Sequence, residues 1–289
     1  MKSGIVPSEL KIAKVVPLYK NGENASFSNY RPISILPCFS KILEKLVYRR
    51  LHQHLIKNNI LYNYQFGFRK CHSAHMALIE LVDRIYTALG KKEFAIGVFL
   101  DLSKAFDTVN HNILLQKLHK YGFRDNVYIW LYNYLTNREQ YVSIKNYDSK
   151  KNSVEYGVPQ GSILGPLLFI IYINDFASVS TTTFPVLFAD DTNLFISNRD
   201  LKALIKNLNH DLQNYSEWFR ANKLSLNVKK SNFMLFAGNK KCERDQIKIY
   251  INNEEINSVS STCFLGVQID DKLCWKEQVE KVCKKITKS

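Results

Sequence analysis

Three aspartates stand where the sequence could hold a hard cation: Asp101, closing the apolar run Phe94 to Leu100, and the adjacent pair Asp190 and Asp191 inside Phe184 to Ser197. Two oxygen donors from different strands would suit Mg²⁺, which prefers carboxylates, water and phosphate oxygens. A pair of such ions about 3.5 to 4 Å apart would activate a primer 3′-hydroxyl and stabilise departing pyrophosphate. Each group also has a plainer reading. Asp101 suits a helix N-cap or a partner for Lys104, and Asp and Asn are ordinary turn residues.

The elements that must carry these groups are legible. Phe184 to Ser197 reads as a β-hairpin, with two apolar runs around a polar break at Asp190 to Asn193. Adjacent strand residues point to opposite faces, so one aspartate of the pair is expected to be a ligand and the other mostly support. Phe94 to Leu100 reads as a central strand buried on both faces. A charge at the mouth of such a strand is costly without a partner.

Composition limits what such a site could serve. The chain has 289 residues and a formal net charge of +14, enough length for two or three subdomains around one cleft. Basic residues are spread along it, with concentrations at Lys145 to Lys151, Lys229 to Lys241 and Lys272 to Lys288. Spread positive charge suits a long polyanion better than a small acidic substrate, and a soluble basic surface is the alternative. The six cysteines include no Cys-x-x-Cys pair, and Cys242, Cys263, Cys274 and Cys283 match no common zinc spacing, so reduced thiols are expected. Met1 to Lys20 lacks the apolar core of a signal peptide, and no run approaches the roughly twenty apolar residues of a membrane span. A cytoplasmic and nuclear location without membrane contact is expected.

Along the chain, Ile12 to Tyr19 and Arg31 to Leu36 read as a hairpin with Lys20 and Arg31 near its two arms. These are solvated surface charges or a grip on a triphosphate. Ser40 to Asn58 has helical periodicity in Ile42, Leu43, Leu46, Val47, Leu51 and Leu55, with Ser40 as N-cap. Gln65 to Arg69 reads as a compact loop, and Ser73 opens a helix reaching about Gly90. Cys71, His72 and His75 crowd the start of that helix, where a tetrahedral shell is rarely completed. Further helices are expected at about 111–121, 125–136 and 167–176, the last after the Pro159 to Pro166 loop, in which two glycines stand close to two prolines. Glu139 to Lys145 alternates like a strand, Leu201 to Ala221 is an amphipathic helix, and Asn232 to Phe236 is a strand. Short strands are expected at Ile247 to Ile251, Glu254 to Ile256 and Phe264 to Ile269, and Trp275 begins a basic helix.

Taken in order, seven blocks carry a resemblance: Asn29-Tyr-Arg-Pro-Ile-Ser34, Gln65-Phe-Gly-Phe-Arg69, Phe99 to Asp107, Gly157 to Pro166, Phe188-Ala-Asp-Asp191, Trp218 to Lys230 and Phe264-Leu-Gly-Val267. Together they resemble the reverse transcriptase domain of a non-LTR (LINE-type, jockey-like) retrotransposon over nearly the whole chain. The wording of the third and fifth blocks favours that family over a group II intron-type reverse transcriptase; a non-catalytic nucleic-acid-binding remnant is the other alternative.

The resemblance implies an α+β right-hand polymerase with a ferredoxin-like palm sheet. Residues 1–92 would form the N-terminal fingers part, 93–270 the palm with an interleaved fingers segment, and 271–289 the start of a truncated thumb. The family domain normally also extends upstream. By resemblance, Asp101, Asp190 and Asp191, with the Leu102 carbonyl, would bind two Mg²⁺ ions, for which Mn²⁺ could substitute. Lys230, before its neighbour Lys229, would be the general acid. Lys20 and Arg31 would contact the phosphates of the incoming nucleotide, Gln160 and Gly161 would line its pocket, and Phe106 would exclude a 2′-hydroxyl as a steric gate. The implied partners are an RNA template, a DNA primer and dNTPs, serving target-primed retrotransposition.

Overall fold

The run Phe94–Leu100 is a strand in which every residue after Phe94 is buried, as its unbroken apolar sequence requires. The computed structural model describes residues 4–145, 147–238, 240 and 247–287; Cys242 lies outside them.

In chain order the first elements are β1 (Ile12–Tyr19), β2 (Tyr30–Ile35), α1 (Cys38–Lys57), α2 (Ala74–Gly90), β3 (Phe94–Leu100), α3 (His111–Lys120) and α4 (Asp125–Leu135). There follow β4 (Arg138–Ile144), β5 (Tyr147–Asp148), β6 (Asn152–Val154), α5 (Leu164–Tyr172), β7 (Phe184–Phe188), β8 (Asp191–Asn198) and α6 (Leu201–Ala221). The last are β9 (Asn232–Phe236), β10 (Tyr250–Ile251), β11 (Glu254–Glu255), β12 (Asn257–Ser258), β13 (Ser261–Phe264), β14 (Val267–Asp270) and α7 (Lys276–Ile286). Among the described residues, no helix is long and apolar enough to cross a membrane.

These elements form two units, residues 1–62 with 104–174 and residues 63–103 with 175–289. The segment 63–92 belongs to the second unit.

The first unit is built on a sheet of order β2-β1-β4-β5, with β6 also on β4. Helix α1 buries Ser40, Glu44, Val47, Leu51 and Leu55 on one face, while Ile42 and Leu46, part of the same periodic pattern, are 56% and 54% exposed. The choice of face follows Glu44. One of its carboxylate oxygens accepts the Tyr134 hydroxyl at 2.9 Å, and the other accepts the Ile163 N–H at 2.6 Å. An interior carboxylate needs those donors, so the face that carries it turns inward. Ser40 is therefore not the N-cap; α1 starts two residues earlier, after Pro37.

Glu44 also explains why α5 begins at Leu164 rather than 167. Its carboxylate sits on the first N–H groups of that helix, and Pro166 in the first turn forfeits no hydrogen bond.

The second unit holds the sheet β12-β9-β3-β8-β7, with β3 antiparallel to both β8 and β9. Helix α2 supplies Ala77, Leu81 and Ile85 to its core, where they join Phe99, Val186, Met234 and Phe236. Ser73 caps α2 by accepting the Met76 N–H at 3.3 Å. The expected single strand Phe264 to Ile269 is instead the hairpin β13–β14. Leu265 and Gly266 turn at φ 49° and 85°, the left-handed pair that a two-residue hairpin loop requires.

Candidate active site

Strand β3 delivers Asp101 to the rim of its sheet. Its ladder with β8 ends at the pair Leu100 and Thr192, so one step further Asp101 comes opposite Asp191. On the other side Phe188 pairs with Asp191, leaving Ala189 and Asp190 as the two-residue turn of the β7–β8 hairpin. The polar break is thus shorter than the sequence suggested. Thr192 and Asn193 are buried within β8, and the Asn193 side chain donates to the Val98 carbonyl at 3.2 Å. The aspartates do not alternate along one strand; Asp190 belongs to the turn and Asp191 to the strand.

Asp191 stands under the charges of the other two carboxylates. Asp191 is exposed at the surface of the hairpin, yet the protein packed around it, then the charges of Asp190 and Asp101, push its carboxyl up to about 6. Mutual repulsion of this kind is relieved by a divalent cation. Among the described residues no three His, Cys, Asp or Glu side chains close into a metal cage. Mg²⁺ does not need one, because it keeps water and substrate phosphate oxygens among its ligands, so this donor set fits such an ion.

The segment 224–231 is laced to Asp101. The Asn227 N–H donates to the Asp101 carbonyl at 2.8 Å, Ser103 N–H to the Ser225 carbonyl at 2.9 Å, and Asp101 N–H to Ser231 Oγ at 3.2 Å. The first two bonds close the bridge between Leu102 and Leu226 and leave the Leu102 carbonyl uncommitted to it. Lys229 and Lys230 are exposed on the same turn, with Lys230 N–H held by the Asn227 carbonyl at 3.1 Å.

The expected nucleotide-binding residues all fall in the first unit. Leu18 pairs with Arg31 across the β1–β2 ladder, and Lys20 N–H donates to the Asn29 carbonyl at 2.9 Å. The pleat therefore carries Lys20 and Arg31 on one face of the hairpin, both exposed.

Phe106 is half-buried, stacked on Phe169 at 4.4 Å between ring centres, and its carbonyl accepts Val158 N–H at 2.9 Å. Gln160 donates through Nε2 to Asp107 at 2.8 Å, while its carbonyl accepts Ser34 N–H at 2.7 Å. Gly161, at φ 129°, lies so close to β2 that a Cβ would stand 2.3 Å from the Ser34 carbonyl oxygen. Of these groups Gln160 edges a cavity of about 270 Å³, lined also by Ser34, Lys104, Asp107 and Arg138 among others. Burial raises the Asp107 carboxyl, against the opposing effects of the Gln160 bond and the Lys104 charge. Asp107, which ends the Phe99 to Asp107 block, and the buried Arg138 are site residues to which the sequence alone assigns no role.

The family described as reverse transcriptase (RNA-dependent DNA polymerase) matches residues 19–269. The RNA-directed DNA polymerase from mobile element jockey of Drosophila melanogaster is 28% identical over 288 residues, covering 96% of this chain and 31% of that protein. The probable RNA-directed DNA polymerase from transposon X-element of the same organism is 31% identical over 278 residues, covering 94% and 30%. The chain thus spans about a third of the length of these relatives. Among solved structures, apo telomerase from Candida tropicalis superposes with a TM-score of 0.63 at 12% identity, covering 93% of this chain and 49% of that one. A likeness at that identity speaks for the fold, a right-hand polymerase.

Proposed function

The chain belongs to the reverse transcriptase (RNA-dependent DNA polymerase) family, and from that premise we propose that it catalyses RNA-directed DNA synthesis for a non-LTR retrotransposon of the jockey kind. The observation that carries the reading is the convergence of the three carboxylates at the end of the β3–β8 ladder, Asp101 just beyond β3, Asp191 at the start of β8 and Asp190 in the turn, close enough that the charges of Asp101 and Asp190 act on Asp191.

Asp101, Asp190 and Asp191, with the Leu102 carbonyl, would hold two Mg²⁺ ions, or Mn²⁺ in their place. When bound, such ions supply positive charge at the attacking 3′-hydroxyl and at the leaving pyrophosphate. The chain's own side chains do the rest by position and charge. Lys20 and Arg31 receive the triphosphate of the incoming dNTP, Arg31 by its planar fork and Lys20 as a point charge. Gln160 and Gly161 line the nucleotide pocket, and Phe106 fills the space a 2′-hydroxyl would need. Lys230, held on the turn bonded to Asp101, gives its proton to the departing pyrophosphate. The RNA template and DNA primer are held mainly through backbone phosphates by a chain of net charge +14, so binding weakens steeply with salt.

Incorporation of labelled dTTP on an oligo(dT)-primed poly(rA) template, with Mg²⁺ and with EDTA, tests the reading. Metal-dependent incorporation is expected. Salt-sensitive RNA binding without incorporation would reduce the chain to a nucleic-acid-binding remnant.

A further inference from the structure

The hairpin turn that carries Asp190 begins with Ala189 at φ 57°. That left-handed conformation is disfavoured for a residue with a Cβ, and two-residue hairpin turns usually place Gly, Asn or Asp there. Alanine offers neither the freedom of glycine nor a side chain that bonds locally. The conformation must be held from outside the turn.

Residues 64–67 are placed to hold it. Phe66 N–H donates to the Leu187 carbonyl at 2.7 Å and Leu187 N–H to the Tyr64 carbonyl at 3.0 Å, so this segment runs as a short parallel bridge along β7. Between them the Gln65 side chain, 2% exposed, turns toward the hairpin tip. Its Oε1 accepts both Gly67 N–H at 2.8 Å and Ala189 N–H at 2.9 Å. Two donors demand the oxygen at that point, which fixes the orientation of the amide. Gly67 then approaches so closely that a Cβ on it would lie 2.2 Å from the Ala189 nitrogen. Any side chain at 67 would push the turn away.

We propose that Gln65 and Gly67 are positioning residues that clamp Ala189 in its left-handed conformation and thereby aim Asp190 and Asp191 at Asp101. The clamp accounts for a fully buried amide and a side-chain-free contact meeting at the one strained residue of the hairpin tip. Its effect on synthesis rests on the proposed function; its effect on the turn does not.

Amide hydrogen exchange and single-nucleotide kinetics test the two separately. In the wild-type chain Ala189 N–H should be protected although it lies in a turn. Gln65→Leu should speed its exchange at least about 10-fold and lower kcat about 100-fold, as a displacement of about 1 Å at a reacting centre does, with little change in KM for dNTP. Gln65→Glu, which keeps an acceptor oxygen, should retain the protection. Ala189→Gly, which needs no clamp, should restore part of the kcat lost in Gln65→Leu. An unprotected Ala189 amide in the wild type, or Gln65→Leu with unchanged exchange, would overturn the clamp. A wild type that makes no DNA would refute the proposed function alone, and exchange would still decide the clamp.

Discussion

Asp101 and Asp191 come opposite each other one step beyond the last pair of the β3–β8 ladder, and their charges, with that of Asp190, act on one small patch of the second unit. The arrangement costs stability when no cation is present, and that cost is measurable.

The Asp191 carboxyl is pushed up to about 6 from an ordinary 3.8. Between these values the folded chain keeps a proton that the unfolded chain has released, so stability falls as pH rises from about 4 to about 6 and this contribution is level above that. Asp191→Asn should abolish the loss. In EDTA at pH 7.5 the variant should exceed the wild type by about 1 kcal/mol, a figure reduced for the residue's contact with solvent. Urea midpoints at pH 4 and 7.5 check it: the gap should appear only at the higher pH, and an equal gap at both would refute the charge explanation.

Glu44 is the buried carboxylate that receives Tyr134 and the first N–H groups of α5. Glu44→Ala leaves these donors in the interior without an acceptor and should cost about 3 kcal/mol. Glu44→Gln keeps an oxygen but loses the charge, and should cost about 1 kcal/mol. Both are read from urea denaturation, and an alanine variant within 0.5 kcal/mol of wild type, roughly the scatter of neutral surface changes, would contradict the assignment.

His111 Nε2 lies 2.7 Å from the Gly157 carbonyl oxygen, and burial, together with the Arg138 charge, holds its imidazole below the usual 6.5 against the opposing effect of that bond. Arg138→Met should raise the His111 pKa, since it removes a repelling cation and keeps the volume filled. An NMR titration of the ring carbons reads the shift; a lower value would mean that repacking outweighs the charge.

Phe106, braced by Phe169, is assigned the exclusion of ribonucleotides. Phe106→Val should narrow the preference for dNTP over rNTP by about 10-fold or more, the scale at which hydrophobic size discriminates. The ratio of kcat/KM values for dTTP and UTP measures it, and an unchanged ratio would remove the gate.

The sequence disclosed the groups whose chemistry conflicts with their surroundings. Asp101 closes an apolar strand and Asp190 with Asp191 interrupts an apolar hairpin, so both stand out without a fold. Long-range polar partners leave no local trace. Glu44 meets residues 90 and 119 positions away, and Gln65 meets Ala189 across 124. Each therefore looks like an ordinary helix or loop residue until the chain is folded. The same gap explains why the periodic residues of α1 divide: Val47, Leu51 and Leu55 are buried beside Glu44 and its donors, whereas Ile42 and Leu46 stay exposed. Asn193 extended the apparent turn because a polar residue in a buried strand resembles a loop residue; its bond to Val98 shows why it is tolerated there.

The most direct test of the central claim is extension of a DNA primer on an RNA template by the wild-type chain and by Asp190→Asn, with Mg²⁺ and dNTPs, beside a measurement of RNA binding. Template-directed extension by the wild type is expected, with its loss in Asp190→Asn by at least about 100-fold, the scale of a displaced catalytic group, and equal RNA binding by both. Extension that survives Asp190→Asn undiminished would contradict the claim.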